Sequence, residues 1–119
     1  MEKIKILLAD DHTILRDGIR SLIEDEKDMQ VVAEAEDGFS AVRLACTIKP
    51  DVVLMDIAMP EMNGLEATRI LRSQGNKTPI VALTGHERED WTRRCLEAGM
   101  DEYQVRTWEG WHHHMALTL

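Results

Sequence analysis

The chain alternates short apolar runs with longer segments in which apolar residues recur every three or four positions. Short apolar runs bounded by acids, prolines or other turn-forming residues are typical of strands covered on both faces. The pattern predicts five strands, near residues 4–9, 30–35, 52–55, 80–83 and 102–105. The segments between them have helical periodicity. This alternation predicts an α/β fold with right-handed crossovers and a parallel sheet that has helices on both faces.

The helical segments carry start and stop signals. Asp37 is expected to cap the second helix, and Gly99 is expected to be the left-handed residue that ends the fourth helix, residues 86–98. The third helix is expected to begin near Gly64. The first helical segment is predicted to have an apolar stripe and an opposite polar face. The stripe consists of Leu15, Ile19, Leu22 and Ile23, and the polar face of Arg16, Asp17, Arg20 and Glu24.

The central apolar run, residues 52–55, ends in an acid. Pro50 precedes this run and Pro60 follows it, which disfavours a helix and favours a buried strand that ends at Asp56. In open α/β sheets, ligands bind outside the carboxyl ends of the strands. Asp56 is therefore a candidate functional residue on position alone.

The other predicted strands also end in chemically active residues. Asp10 and Asp11 follow the first strand, Thr84 ends the fourth and Arg106 follows the fifth. A single acid at a strand end is more commonly a helix cap or a turn residue. Three carboxylates, a hydroxyl and a cation at one edge of a sheet favour a functional site instead.

Three neighbouring carboxylates need a counter-charge. Two carboxylates about 4 Å apart repel each other by roughly 4 kcal/mol at an effective dielectric constant near 20. Such a cluster is stable only if it takes up a proton or binds a cation. A hard divalent ion with oxygen ligands and several retained waters suits it best, which predicts Mg²⁺.

Composition excludes several classes of protein. A length of 119 residues fits one domain. The net charge of −8 and the pI near 5.0 argue against direct binding of nucleic acid. No apolar run approaches the roughly 20 residues of a membrane span, and the N-terminal run is too short for a signal peptide. Cys46 and Cys95 have neither metal-site nor disulfide spacing. We expect a reduced, cytoplasmic protein that makes no contact with membranes.

Four motifs occur in a characteristic order. They are Asp10-Asp11, Asp56 with Met59-Pro60-Glu61-Met62-Asn63-Gly64, Thr84, and Ala98-Gly99-Met100-Asp101-Glu102-Tyr103. In this order and spacing they resemble the receiver domain of two-component response regulators, over residues 3 to about 105. The resemblance implies a flavodoxin-like, doubly wound, five-stranded parallel sheet of order 2-1-3-4-5. Residues 9–70 resemble receivers that precede LuxR-type helix-turn-helix output domains, whereas residues 79–103 resemble receivers of hybrid sensor kinases.

The resemblance implies roles in phosphoryl transfer. Asp56 matches the phosphoacceptor, which takes a phosphoryl group from a sensor histidine kinase or a phosphotransfer protein. Asp11, Asp56 and the main-chain carbonyl of Ala58 match the ligands of Mg²⁺, and Asp10 matches an acid that acts through water. The domain is expected to be a signalling module and not an enzyme. Any DNA-binding output domain is expected to lie outside this chain.

The resemblance also implies a switch. Thr84 and Tyr103 match the residues that respond to phosphorylation and alter the face formed by the fourth helix, the fifth strand and the fifth helix. Ala58 and His86 lie two residues beyond Asp56 and Thr84. They are interpreted either as ordinary loop residues or as residues that tune the access of water to the phosphorylated aspartate.

The C-terminal end departs from the family pattern. The family has a Lys after the fifth strand, and this chain has Arg106, whose guanidinium is longer and planar. Either Arg106 contacts the phosphoryl group in place of the Lys, or the domain is a phosphate-independent interaction module, a pseudo-receiver. We predict that the receiver domain covers residues 1–106 and that residues 107–119 form an atypical C-terminal segment.

That segment has two features that are open to interpretation. Its apolar residues share one helical face, which allows a substitute fifth helix, and its three consecutive histidines allow either a metal site or a tag-like, altered terminus. The apolar residues are Trp108, Trp111, Met115 and Leu119, and the histidines are His112, His113 and His114. If this segment does not cover the sheet, exposed strand surface is expected to drive self-association.

Overall fold

Strands and helices alternate along the chain. The computed structural model describes residues 3–84 and 89–105, with side chains described for residues 3–83 and 93–101. The elements are β1 (Ile4–Ala9), α1 (Thr13–Glu24), β2 (Met29–Ala35), α2 (Gly38–Ile48), β3 (Val52–Asp56), α3 (Gly64–Ser73), β4 (Ile80–Thr84), α4 (Glu89–Ala98) and β5 (Glu102–Val105). Within these ranges, no helix has the length and apolar character needed to cross a membrane.

The strands form one parallel sheet in the order β2-β1-β3-β4-β5. The chain first adds β2 on one side of β1 and then crosses to add β3 on the other side, so the strand order reverses between β1 and β3. Ala9 pairs with Met55, and Asp56 pairs with Leu83. The residues that follow β1, β3 and β4 therefore meet at one edge of the sheet. The predicted α/β class with a parallel sheet is confirmed.

Each face of the sheet carries its own hydrophobic cluster. Successive strand residues point to opposite faces, so Val53 and Met55 belong to one cluster, whereas Val52 and Leu54 belong to the other. The first cluster includes Ala41 and Ala45 of α2, Leu65, Ala67 and Leu71 of α3, and Cys95 and Ala98 of α4. The second includes Ile19 and Ile23 of α1. Helices thus cover both faces, which explains why β3 is apolar without alternation.

Two glycines hold the connection between β3 and α3 close to the sheet. The Gly64 N–H donates to the carbonyl oxygen of Ile57 at 2.9 Å, and the Gly38 N–H donates to that of Met62 at 2.9 Å. A Cβ atom on Gly64 would overlap the carbonyl oxygen of Asp56, and one on Gly38 would overlap that of Met62. Residues 57–63 are therefore fixed beside the end of β3 by close backbone contacts that only glycine permits.

The predicted helix ends are confirmed at two positions. The Asp37 Oδ1 atom accepts a hydrogen bond from the Ser40 N–H at 2.7 Å, and Gly99 has a φ of +105°. The predicted start of the fourth helix falls on residues 85–88, which lie outside the described residues.

The predicted faces of α1 were wrong at two residues. Arg16, expected on the polar face, is only 8% exposed, whereas Leu22, expected in the stripe, is 36% exposed. The Arg16 guanidinium can be buried because it has hydrogen-bond acceptors at Asp10, directly after β1, and at Glu34 on β2, which sequence periodicity does not reveal.

Candidate metal centre

Three predicted carboxylates lie together where β1 and β3 end. Because Ala9 pairs with Met55, Asp10 and Asp56 are neighbours at this edge of the sheet. Asp10 is 0% and Asp56 2% exposed, whereas 31% of the Asp11 side chain is exposed. Together with His12, each residue of the cluster offers one ligand atom, and these atoms all lie within 4.8 Å of one another. The cluster is therefore compact enough to surround a single ion.

His12 joins the cluster, although the sequence analysis did not single it out. Its Nδ1 atom lies 3.0 Å from Asp10 Oδ1, 3.2 Å from Asp11 Oδ1 and 3.7 Å from Asp56 Oδ2. The only signal in the sequence was its position directly after the acid pair. The structure thus adds an imidazole nitrogen to the three carboxylates.

Main-chain donors fix the orientation of the two buried carboxylates. The His12 N–H donates to Asp10 Oδ1 at 2.8 Å, and the Ala58 N–H donates to Asp56 Oδ1 at 3.2 Å. In both cases the donor lies two residues after the acid, a local arrangement that aspartate commonly forms at turns. The positions of these carboxylates are therefore set by the backbone of the loops that follow β1 and β3.

Arg16 holds the backbone of the Asp10-Asp11 pair in place. Its Nη1 atom donates to the main-chain carbonyl of Asp10 at 2.6 Å, and its Nε atom donates to Glu34 Oε1 at 3.1 Å. A third donor, Nη2, lies 3.3 Å from Glu36 Oε1. Arg20 also donates to Glu34, and this hydrogen bond raises the pKa of the Arg20 guanidinium. These contacts tie α1 to the ends of β1 and β2.

The charge of the cluster fits a divalent cation. Helix α1 begins at Thr13, two residues after Asp11, and a helix N-terminus offers about half a positive charge. The three carboxylates, when ionised, carry more negative charge than this. Carboxylate oxygens are the ligands that hard divalent ions prefer. The residues present therefore fit a bound metal ion, and Asp10, Asp11, His12 and Asp56 are those that could hold it.

The remaining predicted site residues are described only in part. Thr84 ends β4 one residue beyond Leu83, the partner of Asp56, so its backbone lies at the same edge of the sheet. The Tyr103 backbone pairs with Ala82. The side chains of Thr84 and Tyr103 lie outside the described residues, as do residues 85–88, which include His86. Arg106 and residues 107–119 also lie outside them, so the pseudo-receiver hypothesis stays a prediction.

Comparison with known sequences identifies related proteins. The family described as "Response regulator receiver domain" matches residues 6–109. The response regulator GacA of Pseudomonas aeruginosa is 42% identical over 104 residues, which is 87% of this chain and 48% of that protein. The transcriptional regulatory protein DegU of Brevibacillus brevis is 38% identical over 104 residues, 87% of this chain and 44% of that protein. The chain spans about half the length of these curated relatives.

Solved structures show the same fold. A LuxR-family two-component response regulator from Aurantimonas has a TM-score of 0.84 and 38% identity, over 89% of this chain and 76% of that chain. The receiver domain of the putative response regulator NarL from Mycobacterium tuberculosis has a TM-score of 0.92 and 26% identity, over 99% of this chain and 97% of that chain. The family match covers most of the chain, and the predicted resemblance is confirmed: the chain belongs to the receiver domains of two-component response regulators.

Proposed function

We propose that Asp56 is the phosphoacceptor of this receiver domain and that Mg²⁺ is its cofactor. The phosphoryl donor is a sensor histidine kinase or a phosphotransfer protein. The observation that carries the proposal is the position of Asp56, 2% exposed at the carboxyl end of β3 and within one compact cluster with Asp10, Asp11 and His12. A buried nucleophilic carboxylate at a strand end, beside groups that fit a cation, suits phosphoryl transfer.

The transfer is a displacement at phosphorus. A carboxylate oxygen of Asp56 bonds to the phosphorus atom of a phosphohistidine as the nitrogen–phosphorus bond breaks, and the imidazole leaves with the bonding electrons. The Ala58 N–H holds the Asp56 carboxylate in place during this step. Mg²⁺, when bound by these residues, would supply the positive charge that lets a phosphoryl dianion approach the acids. Its proposed ligands are Asp11, Asp56 and the Ala58 carbonyl, with Asp10 acting through water.

The proposed switch lies on the neighbouring strands. The Thr84 hydroxyl moves to hold an oxygen of the new phosphoryl group, and Tyr103 responds to this movement of Thr84. Arg106 supplies the positive charge that contacts the phosphoryl group. The pairing of Asp56 with Leu83 supports the role of Thr84, because it brings the Thr84 backbone next to the acceptor. The face formed by α4, β5 and the segment after β5 then changes shape. Ala58 and His86 are proposed to tune the access of water.

We propose that a separate output domain, and not the receiver, carries out the response to phosphorylation. Relatives of the chain carry names such as transcriptional regulatory protein, and one similar solved structure is titled a DNA-binding response regulator of the LuxR family. Because the chain spans about half of its curated relatives, we propose that residues 1–106 act as a receiver for a separate DNA-binding domain. The net charge of −8 supports the view that the receiver itself does not contact DNA.

Intact-mass measurement tests the phosphoacceptor. The chain is incubated with acetyl phosphate and Mg²⁺, and we expect one added phosphoryl group that disappears in Asp56→Ala. The matched control is Asp25→Asn, which removes an exposed carboxylate at the far end of α1 and should leave the added mass unchanged. Equal phosphorylation of Asp56→Ala and the unaltered chain would contradict the assignment, as would a complete lack of phosphorylation of the unaltered chain.

A further inference from the structure

The His12 imidazole lies beside all three carboxylates of the cluster. One nitrogen, Nδ1, is 3.0, 3.2 and 3.7 Å from oxygens of Asp10, Asp11 and Asp56. A single ring N–H can be directed at only one of these oxygens, so hydrogen bonding does not account for all three approaches. The arrangement resembles a set of ligand atoms around a common centre.

Helix capping does not explain the orientation of this side chain. His12 is the N-cap residue of α1, yet its side chain makes no capping hydrogen bond. Serine, threonine, aspartate and asparagine are the residues preferred at this position. The main-chain N–H of His12 donates to Asp10 Oδ1, and the ring nitrogen Nδ1 lies close to the same oxygen. The ring is therefore directed towards the acids and not towards the helix. The His12 side chain is thus placed for the cluster.

The distances suit metal ligands. Ligand atoms about 2.1 Å from an octahedral ion lie about 3 Å apart when adjacent and about 4 Å apart when opposite. The separations of 3.0 and 3.2 Å match adjacent ligands, and the distance of 3.7 Å lies between the two values. All the ligand atoms lie within 4.8 Å of one another, so the cluster needs to contract by less than about 1 Å to surround such an ion.

We propose that His12 is a nitrogen ligand of the metal centre and biases it towards divalent transition ions. Mg²⁺ prefers oxygen ligands and keeps several waters, whereas imidazole suits Co²⁺, Ni²⁺ and Zn²⁺, which also bind most mixed sites more tightly. The His12 ring therefore raises the affinity for transition ions without a comparable gain for Mg²⁺. This inference rests on the proposed function, because it concerns the same site.

Competition between Co²⁺ and Mg²⁺ tests the ligand. Co²⁺ binding is followed by its visible absorption, and Mg²⁺ affinity by displacement of Co²⁺. All variants are made in a background with His112, His113 and His114 changed to Asn, because consecutive imidazoles bind the same ions. His12→Asn keeps a favourable N-cap residue, and His12→Gln is a second variant if folding fails. Thr13→Asn, at an exposed neighbour, controls for disturbance of the end of α1.

We expect His12→Asn to weaken Co²⁺ binding about tenfold, as loss of one metal-site group typically does, and to shift the absorption bands. Mg²⁺ affinity and the Thr13→Asn variant should change little. An unchanged ratio of Co²⁺ to Mg²⁺ affinity in His12→Asn and His12→Gln overturns the inference and leaves the proposed function standing. If neither ion binds the parent chain, or if binding survives Asp11→Asn and Asp56→Asn, the metal site itself is absent and both proposals fall.

Discussion

Asp10 and Asp11 differ in their surroundings although they are neighbours in the chain. Asp10 is fully buried, and its Oδ1 atom already accepts the His12 N–H, whereas 31% of the Asp11 side chain is exposed. The Asp11 carboxylate can therefore contact an ion directly, while Asp10 is more constrained. This difference supports a direct ligand at Asp11 and an acid that acts through water at Asp10.

We therefore expect Asp11→Asn to weaken Mg²⁺ binding more than Asp10→Asn does. Mg²⁺ binding is expected to be weak because few protein atoms contact the ion directly. The titration is therefore best followed by NMR chemical shifts, and the signals of Asp11, Asp56 and Ala58 should move as Mg²⁺ is added. If Asp10→Asn weakens binding more than Asp11→Asn, the two roles are reversed. If the shifts leave these three residues untouched, the ion binds elsewhere.

Gly64 is required for a contact that lies directly behind the acceptor. A Cβ atom at this position would overlap the carbonyl oxygen of Asp56 and lie 2.9 Å from Met55 Cγ. We expect Gly64→Ala to lower the free energy of unfolding by about 1–3 kcal/mol, the usual cost of overpacking, and to slow phosphorylation by displacing Asp56. Urea unfolding and the intact-mass assay measure these two effects.

Gly18 offers the matched control for that substitution. It lies within α1, and a Cβ atom there meets nothing within 4 Å. Gly18→Ala should raise the free energy of unfolding by up to about 1 kcal/mol, because alanine is the better helix former. Equal stability changes for Gly64→Ala and Gly18→Ala would show that the loop after β3 can move away from the strand.

At the residue scale, the sequence located the acids but not the groups that orient them. Asp10, Asp11 and Asp56 were predictable because each follows an apolar run, and strand ends meet at one edge of a parallel sheet. His12 and Arg16 were not predictable, since the direction of each side chain depends on partners from other strands. Neither periodicity nor spacing carries that information.

At the scale of elements, Arg72 connects the end of α3 to the entry of β5. Its Nε atom donates to the carbonyl oxygen of Gly99 at 2.8 Å, and its Nη2 atom lies 2.6 Å from Asp101 Oδ1. Its Nη1 atom donates to the carbonyls of Asn76 and Thr78. Asp101 Oδ1 also accepts the Ile80 N–H at 2.9 Å. One guanidinium thus joins α3, the start of β4 and the turn between α4 and β5.

We expect Arg72→Met to loosen this junction. The substitution leaves several carbonyl oxygens and the Asp101 carboxylate without their charged donor, at a cost of about 1–3 kcal/mol in unfolding free energy. Amide hydrogen exchange should accelerate at Ile80 and around Gly99 more than in α1. Arg69→Met is the matched control, because Arg69 is an exposed residue of the same helix. Similar exchange rates in the two variants would show that the junction does not depend on Arg72.

The order of elements was predictable, whereas their sequence boundaries and faces were only partly so. Alternating apolar runs and helical segments indicated the strands and helices, and Asp37 and Gly99 marked two helix ends correctly. The strand order came from the resemblance, because pattern alone does not specify which strands pair. The faces of α1 were wrong at Arg16 and Leu22, and at Arg16 a partly buried ion pair with Glu34 outweighs periodicity.

At the scale of the whole molecule, the thiols of Cys46 and Cys95 differ in their exposure to solvent. Cys46 is exposed and Cys95 is buried, and both are free. Cys95 lies in the cluster that joins α4 to the sheet, and burial raises the pKa of its thiol from 9.0 to about 11, although Arg94 opposes the shift. Removal of the thiol from water disfavours the charged thiolate. Ionisation of Cys95 is therefore linked to unfolding of the whole domain.

This linkage predicts a loss of stability at alkaline pH. Well below pH 9 the thiol is protonated in both states and contributes no pH dependence. Between pH 9 and about 11 the unfolded chain loses the proton while the folded protein keeps it, so the free energy of unfolding falls. A pKa shift of this size corresponds to about 2–3 kcal/mol once both states are ionised.

Urea unfolding of the unaltered chain and of Cys95→Ala, at about pH 8 and about pH 10.5 on either side of the ordinary thiol pKa, measures this loss. Cys95→Ala should be less stable at both pH values because it leaves a cavity, but its decline between them should be smaller by about 2 kcal/mol. Lysine and tyrosine ionise in both proteins, so their contribution cancels in the comparison. Cys46→Ala, at the exposed thiol, should decline like the unaltered chain. Equal declines in all three proteins would mean that the Cys95 thiol ionises as readily in the folded protein as in the unfolded chain, and that α4 does not keep water from this position.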